Sequence, residues 1–163
     1  MKYVIMGVSG SGKSSVGEAL SAAIRAPYID GDDLHPAENI RKMSQGIPLT
    51  DADRWPWLEQ VGLRLRQEAG TVIIGCSALR RIYRDHIREA AGEAVTFIHL
   101  AGSKALIAGR MGARKGHFMP SSLLDSQFAT LEPPEPDELS ITVDIDQPVE
   151  DMVAGIVAAI GRT

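Results

Sequence analysis

Eight residues near the start of the chain, Gly7-Val8-Ser9-Gly10-Ser11-Gly12-Lys13-Ser14, constrain its fold more than any others. They match the spacing G-x-x-x-x-G-K-[ST]. They follow directly on Lys2-Tyr3-Val4-Ile5-Met6, which reads as a short buried strand. Behind them Val16, Leu20 and Ile24 recur every four residues, so a helix follows. A glycine-rich turn between strand and helix is the arrangement an anion site needs. Successive backbone N–H groups line a concavity, and the helix N-terminus turns its positive dipole end toward it. Glycines let the backbone close without Cβ clashes. The expected ligand is the polyphosphate of a nucleoside triphosphate. Gly7, Ser9, Gly10, Ser11, Gly12, Lys13, Ser14 and Ser15 are the expected nucleotide-binding residues. Lys13 is expected to act catalytically on the outer phosphates, and the Ser14 hydroxyl to ligate Mg²⁺.

The rest of the chain alternates strand and helix. Pro27 to Asp30, Thr71 to Cys76, Ala94 to Leu100 and Ile141 to Asp144 read as strands. Helices are predicted over Ala37–Ser44, through Leu58, Val61 and Leu65, from about Leu79 to Ala91, over Lys104–Arg114, and from Val149 onward. The stretch from Lys115 to Ser126 has no clear period. Five strands alternating with helices predict a three-layer α/β fold. A mostly parallel five-stranded sheet carries helices on both faces, in one domain spanning 1–163. Ligands are then expected at the carboxyl ends of the strands.

Composition narrows the function classes. Hydrophobic residues are 44% and charged residues 23%, which excludes disorder as the main state. A net charge of −4 argues against a broad nucleic-acid-binding face. The single cysteine can form no internal disulfide and no cysteine-based zinc site. No apolar run approaches the ~20 residues of a membrane span. A cytoplasmic protein without nucleic-acid or membrane partners is the expectation.

Several polar groups are candidates for chemistry. Asp30 and Asp32, two apart, are expected to share one face of the extended second strand. One of them would organise Mg²⁺ through its waters, and the other would accept or orient the proton of a substrate hydroxyl. Arg54 precedes a Trp-Pro-Trp segment. Arg80, Arg84 and Arg88 repeat every four residues. Arg80 and Arg84 are expected to hold an anionic substrate, with Arg88 exposed; the plain alternative is a solvated stripe. Arg110, Arg114 and His117 lie in a glycine-punctuated basic cluster that reads as a mobile lid. That lid would bring arginine onto the transferring phosphoryl group. Cys76 and His99 read as packed core residues, and Trp55 and Trp57 as packing rather than base-stacking groups.

These residues also carry a resemblance. The chain resembles the small, ATP-dependent gluconate kinases of the P-loop group. The likeness runs from Gly7–Ser14 through Asp30-Gly31-Asp32 with Leu34-His35-Pro36, Asp53-Arg54 with Pro56-Trp57-Leu58, and Cys76-Ser77-Ala78-Leu79. It ends on Arg114, His117-Phe118 and Ser126-Gln127-Phe128. The resemblance implies ATP and Mg²⁺ as cofactors, D-gluconate as substrate, transfer to its 6-hydroxyl, and a homodimer in some members. It implies Asp32 at the accepting hydroxyl and His35, Arg54, Arg84, His117 and Gln127 toward the polyol and carboxylate. The adenine is expected between Arg110 and the loop at Asp146-Gln147-Pro148. The family usually has lysine where this chain has Arg80. Two rivals stay open at this point: another small-molecule kinase, shikimate- or nucleotide-directed, and a non-catalytic nucleotide-binding regulator.

Overall fold

A computed structural model describes residues 1–113 and 121–161. Its strands are β1 (Lys2–Met6), β2 (Tyr28–Asp30), β3 (Val72–Gly75), β4 (Val95–Ala101) and β5 (Ser140–Asp144). Its helices are α1 (Lys13–Ile24), α2 (Ala37–Ser44), α3 (Asp51–Gln67), α4 (Arg81–Ala91), α5 (Lys104–Ala113), α6 (Ser121–Thr130) and α7 (Val149–Ile160), with a 3-10 turn at Gly31–Leu34. The strand order is β2-β3-β1-β4-β5. Each of its pairings is parallel, as the alternation of strands and helices requires.

β1 sits at the centre, and Val4 pairs with Ile74 on one side and Phe97 on the other. Its residues alternate between two apolar layers. Tyr3 and Ile5 pack with Val16 and Leu20 of α1 and with Met152, Val153 and Ile156 of α7. Val4 and Met6 pack with Leu58, Val61 and Leu65 of α3 and Ile87 of α4. This two-sided cover is why the strand reads as an unbroken apolar run. Lys2 is buried because its ammonium donates to the carbonyls of Glu68 and Gly70. Gly62 lets α3 and α4 touch: a Cβ there would lie 2.5 Å from Ala90 Cβ and 2.7 Å from the Ile87 carbonyl oxygen.

Three local readings change. Helix α6 occupies part of the stretch without a period. α3, predicted through Leu58, Val61 and Leu65, already begins at Asp51 and holds Pro56 inside it. α4 starts at Arg81, after an extended Arg80.

The arginine stripe on α4 is also corrected. Arg84 is fully buried rather than facing a ligand. Its Nε and Nη2 donate to the two Glu138 oxygens at 2.7 and 3.0 Å, and its Nη1 donates to the Ala78 carbonyl at 2.9 Å. Arg88, expected in solvent, is half-buried and also donates to Glu138. Periodicity places three arginines on one face. It does not reveal that the face meets a carboxylate from the segment before β5. Among the described residues no helix is long and apolar enough to cross a membrane.

Candidate active site

The loop between β1 and α1 has the backbone of an anion nest. Gly10 (φ 82°) and Gly12 (φ 97°) both lie in the left-handed region that favours glycine. Gly12 stands at the N-cap of α1 without a side-chain hydrogen bond, so no side chain of that residue caps the helix amides. Ser11 Oγ is the one buried side-chain polar atom without a hydrogen-bond partner among the described residues. An uncapped helix N-terminus and an orphaned hydroxyl fit an incoming phosphate. Ser14 and Ser15 are exposed in the first turn of the same helix.

Lys13 folds back over this loop. Its ammonium donates to the carbonyl oxygens of Gly7 at 3.0 Å and Val8 at 3.2 Å. Burial lowers its pKa, while the negative charges of Asp32 and Asp30 oppose that shift.

The two carboxylates do not share a strand face. β2 stops at Asp30 because Gly31 passes against β3, where a Cβ would sit 2.3 Å from the Gly75 carbonyl oxygen. The chain enters its 3-10 turn instead, and Asp30 Oδ1 accepts the Asp32 N–H at 3.0 Å as its cap. Asp32 is thereby turned outward, its side chain 80% exposed. Solvent lost on its protein-facing side, and then the Asp30 charge, raise its pKa, with Lys13 opposing. A carboxylate with a raised pKa is a better proton acceptor.

His35 follows at the end of the turn. Its ring stacks on Trp57 with centroids 4.0 Å apart, and Trp57 Nε1 donates to the Gly31 carbonyl at 2.8 Å. Asn39 Nδ2 lies 3.2 Å from His35 Nδ1. An amide nitrogen only donates, so Nδ1 accepts and Nε2 carries the proton. Nε2 lies 4.0 Å from Asp32 Oδ1. Burial, then the Arg54 charge, lower the His35 pKa to about 4. This is below the ordinary 6.5, so as pH falls the unfolded chain takes up the proton first. Stability present above about pH 6.5 should decline as pH drops toward 4. Denaturant midpoints at pH 7 and 4.5 should differ less in His35→Gln than in the parent.

Arg54 and Arg80 are gathered by one aspartate. α3 opens on a reciprocal cap: Asp53 N–H donates to Thr50 Oγ1 and Thr50 N–H donates to Asp53 Oδ2. Lys42 hydrogen-bonds to the Asp53 carboxylate, the first cause holding its pKa down to about 2. The turn fixed this way carries Asp51 and Arg54. Asp51 accepts from Arg54 Nη1 at 3.4 Å, from Arg80 Nη1 at 3.2 Å and from the Tyr83 hydroxyl at 2.5 Å. The Tyr83 ring lies 5.3 Å from the Arg54 guanidinium and 5.6 Å from that of Arg80. Two guanidiniums share one carboxylate, and both remain partly exposed. Such a pair retains positive charge for a substrate anion.

Other expected residues are placed differently. Gln127 hydrogen-bonds to Ser9 of the phosphate loop. Arg110 Nη2 donates to the Ile145 carbonyl at 2.6 Å, which puts it beside the loop expected near adenine. Arg114 and His117 lie outside the described residues. Cys76 is buried and its thiol is pushed up to about 12 by burial, so it is no thiolate. His99 is a packed residue of β4.

The sequence reading missed Tyr28, Asn39 and Tyr83 as parts of the site. Tyr28 lies across two glycines: a Cβ on Gly17 would meet its ring at 2.1 Å, and one on Gly75 its hydroxyl at 2.2 Å. Burial raises its phenol to about 12, and a hydrogen bond with the Ser14 side chain pulls the other way. A glycine in a helix interior, as at 17, is the one sequence signal that a bulky neighbour sits there.

Known proteins resemble this chain over most of its length. The shikimate kinase family pattern matches residues 9–127. The thermosensitive gluconokinase of Escherichia coli is 48% identical over 153 residues, covering 90% of this chain and 80% of that protein. The thermoresistant gluconokinase of the same organism is 44% identical over 164 residues, covering 98% and 93%. A crystal structure of a gluconokinase from Sinorhizobium meliloti superposes with a TM-score of 0.91 at 53% identity. That match covers 99% of this chain and 91% of the other.

Proposed function

The chain belongs to the gluconokinase family, and from that premise we propose that it transfers the γ-phosphoryl group of ATP to the 6-hydroxyl of D-gluconate. The products are 6-phosphogluconate and ADP. The observation that carries this reading is the line of groups leading away from the phosphate loop. Lys13 interacts with Asp32, Asp32 lies beside His35, and the Arg54 charge acts on His35. Beyond them Asp51 joins Arg54 to Arg80. A linear hydroxy acid fits along such a line, with its hydroxyl at Asp32 and its carboxylate at the arginines.

The residues divide the work. Lys13 and the loop amides not already engaged neutralise the phosphates, those of Gly7, Ser9 and Ser11 being held by Ser77, Gln127 and Val8. Asp32 orients the accepting hydroxyl and takes its proton as the oxygen bonds to phosphorus and the bond to ADP breaks. Arg54 and Arg80 anchor the carboxylate, and neutral His35 offers Nε2–H to a substrate hydroxyl. Ser14 and, through water, Asp30 would hold Mg²⁺, which supplies charge neutralisation on the phosphates. The first part of the segment 104–128, which carries Arg110 toward the adenine loop, would serve as the cover that excludes water, while α6 at its other end is held to the body through Leu124.

An acceptor panel tests the reading. ADP release should require D-gluconate and fall by as much as ~10⁴-fold for an analogue lacking a bonded hydroxyl. Preferred turnover with shikimate or a nucleoside monophosphate would replace the proposal with the first rival. Nucleotide binding without acceptor-dependent ADP release would replace it with a regulator.

A further inference from the structure

Gln127 and Ser9 are 118 positions apart, yet they satisfy each other twice. Ser9 N–H donates to Gln127 Oε1 at 2.7 Å, and Gln127 Nε2 donates to Ser9 Oγ at 3.0 Å. The carboxamide is fixed in this orientation. Exchanging its oxygen and nitrogen would set an N–H against an N–H. The base of Gln127 is itself anchored. Leu124 of the same helix is buried in the apolar layer, with Phe128 and Leu131 packed against it. Just past α6, Leu131 N–H donates to the Gln127 carbonyl, and Glu132 N–H donates to the Leu79 carbonyl at 2.7 Å. The tip of the phosphate loop is therefore tied, through one side chain, to an element packed on the body of the domain.

We propose that Gln127 is a positioning residue for the nucleotide rather than a polyol ligand: it holds the tip of the phosphate loop in its binding shape through Ser9. The inference rests on reading residues 7–14 as the ATP site. Physically, a loop ordered before the ligand arrives loses less conformational freedom on binding. Ser11 N–H adds one local brace, to the Val8 carbonyl at 3.2 Å, but among the described residues Ser9 N–H and Oγ both depend on Gln127. Without the carboxamide, the tip must be ordered by the nucleotide itself.

Calorimetric titration with ADP, without gluconate, separates this role from others. Gln127→Ala should weaken ADP binding about tenfold, the scale of two lost hydrogen bonds. Its KM for gluconate at saturating ATP should change less than about twofold. Ser9→Ala removes the hydroxyl half alone and should weaken ADP about threefold. That second variant keeps the test valid should Gln127→Ala fail to fold. The double variant should be no weaker than Gln127→Ala, because the hydroxyl has already lost its partner. Unchanged or tighter ADP binding in Gln127→Ala would overturn the proposal, as would a raised gluconate KM with ADP affinity intact. A parent protein that binds no ADP would instead overturn the underlying reading of the loop.

Discussion

Replacing Lys13 with alanine should lower gluconate-dependent ADP release by about 10²–10³-fold, the scale of removing one preorganised charge stabiliser. The ammonium rests on the carbonyls of Gly7 and Val8, next to the carboxylates of Asp32 and Asp30. Those carbonyls point a cation to where phosphate charge develops during transfer. Alanine removes the cation and nothing the fold requires. Position 13 begins α1, alanine is the best helix former, and the partners lie at the loop rather than in either apolar layer. Thermal unfolding should stay within a few degrees of the parent. Turnover within a few-fold of the parent, at saturating substrates, would remove Lys13 from the mechanism.

Glu138→Ala should produce the largest loss of stability. Arg84 is wholly buried with Glu138, Arg88 reaches the same carboxylate, and Glu135 N–H donates to it. Removing the carboxylate leaves a buried guanidinium without its counter-charge, at a cost of about 3–5 kcal/mol. In a chain of this length that lowers the melting temperature on the order of 10 °C. The pair also has a pH signature. Burial alone would raise the Glu138 pKa, but hydrogen bonds from Arg84, Arg88 and the Glu135 N–H outweigh it and hold the value at about 2. The ordinary value is 4.5, so the folded value is depressed. The stabilisation is present above about pH 4.5 and is lost as pH falls toward 2. Melting curves from pH 6 to 3 should slope less steeply in Glu138→Ala than in the parent. Replacing both partners with apolar residues of similar volume, Arg84→Met with Glu138→Leu, should recover most of the stability. Failure to recover would mean that Glu138 serves more than this pair.

The sequence made the phosphate loop legible because its function lies in backbone geometry, and backbone geometry follows from glycine spacing. The five strands were legible for a related reason. Strands buried on both faces leave continuous apolar runs. What escaped depends on partners distant in the chain. Arg84 looks like any helix arginine until Glu138 is folded onto it. The resemblance alone offers a role for Gln127, and nothing in its own neighbourhood announces its contact with Ser9. Asp30 and Asp32 do not share a strand face, since strand periodicity ends at Gly31, where the backbone has no room for a side chain. Asp51 and Tyr83 each carry an ordinary helix pattern, and only the meeting of α3 with α4 makes them one cluster.

The central place of β1 bears on how the protein is made. Translation runs from N- to C-terminus, so Lys2–Met6 leaves the ribosome before either strand that pairs with it. Its two neighbours begin at Val72 and Val95. Parallel strands cannot be joined by a tight hairpin, so no local partner covers those five residues in the meantime. The nascent chain thus exposes an apolar, unpaired edge until β3 and β4 have been made, the condition under which chaperones are engaged and inclusion bodies start. Slowing synthesis before residue 101, where β4 is completed, lengthens that wait and should lower soluble yield more than slowing it beyond that point.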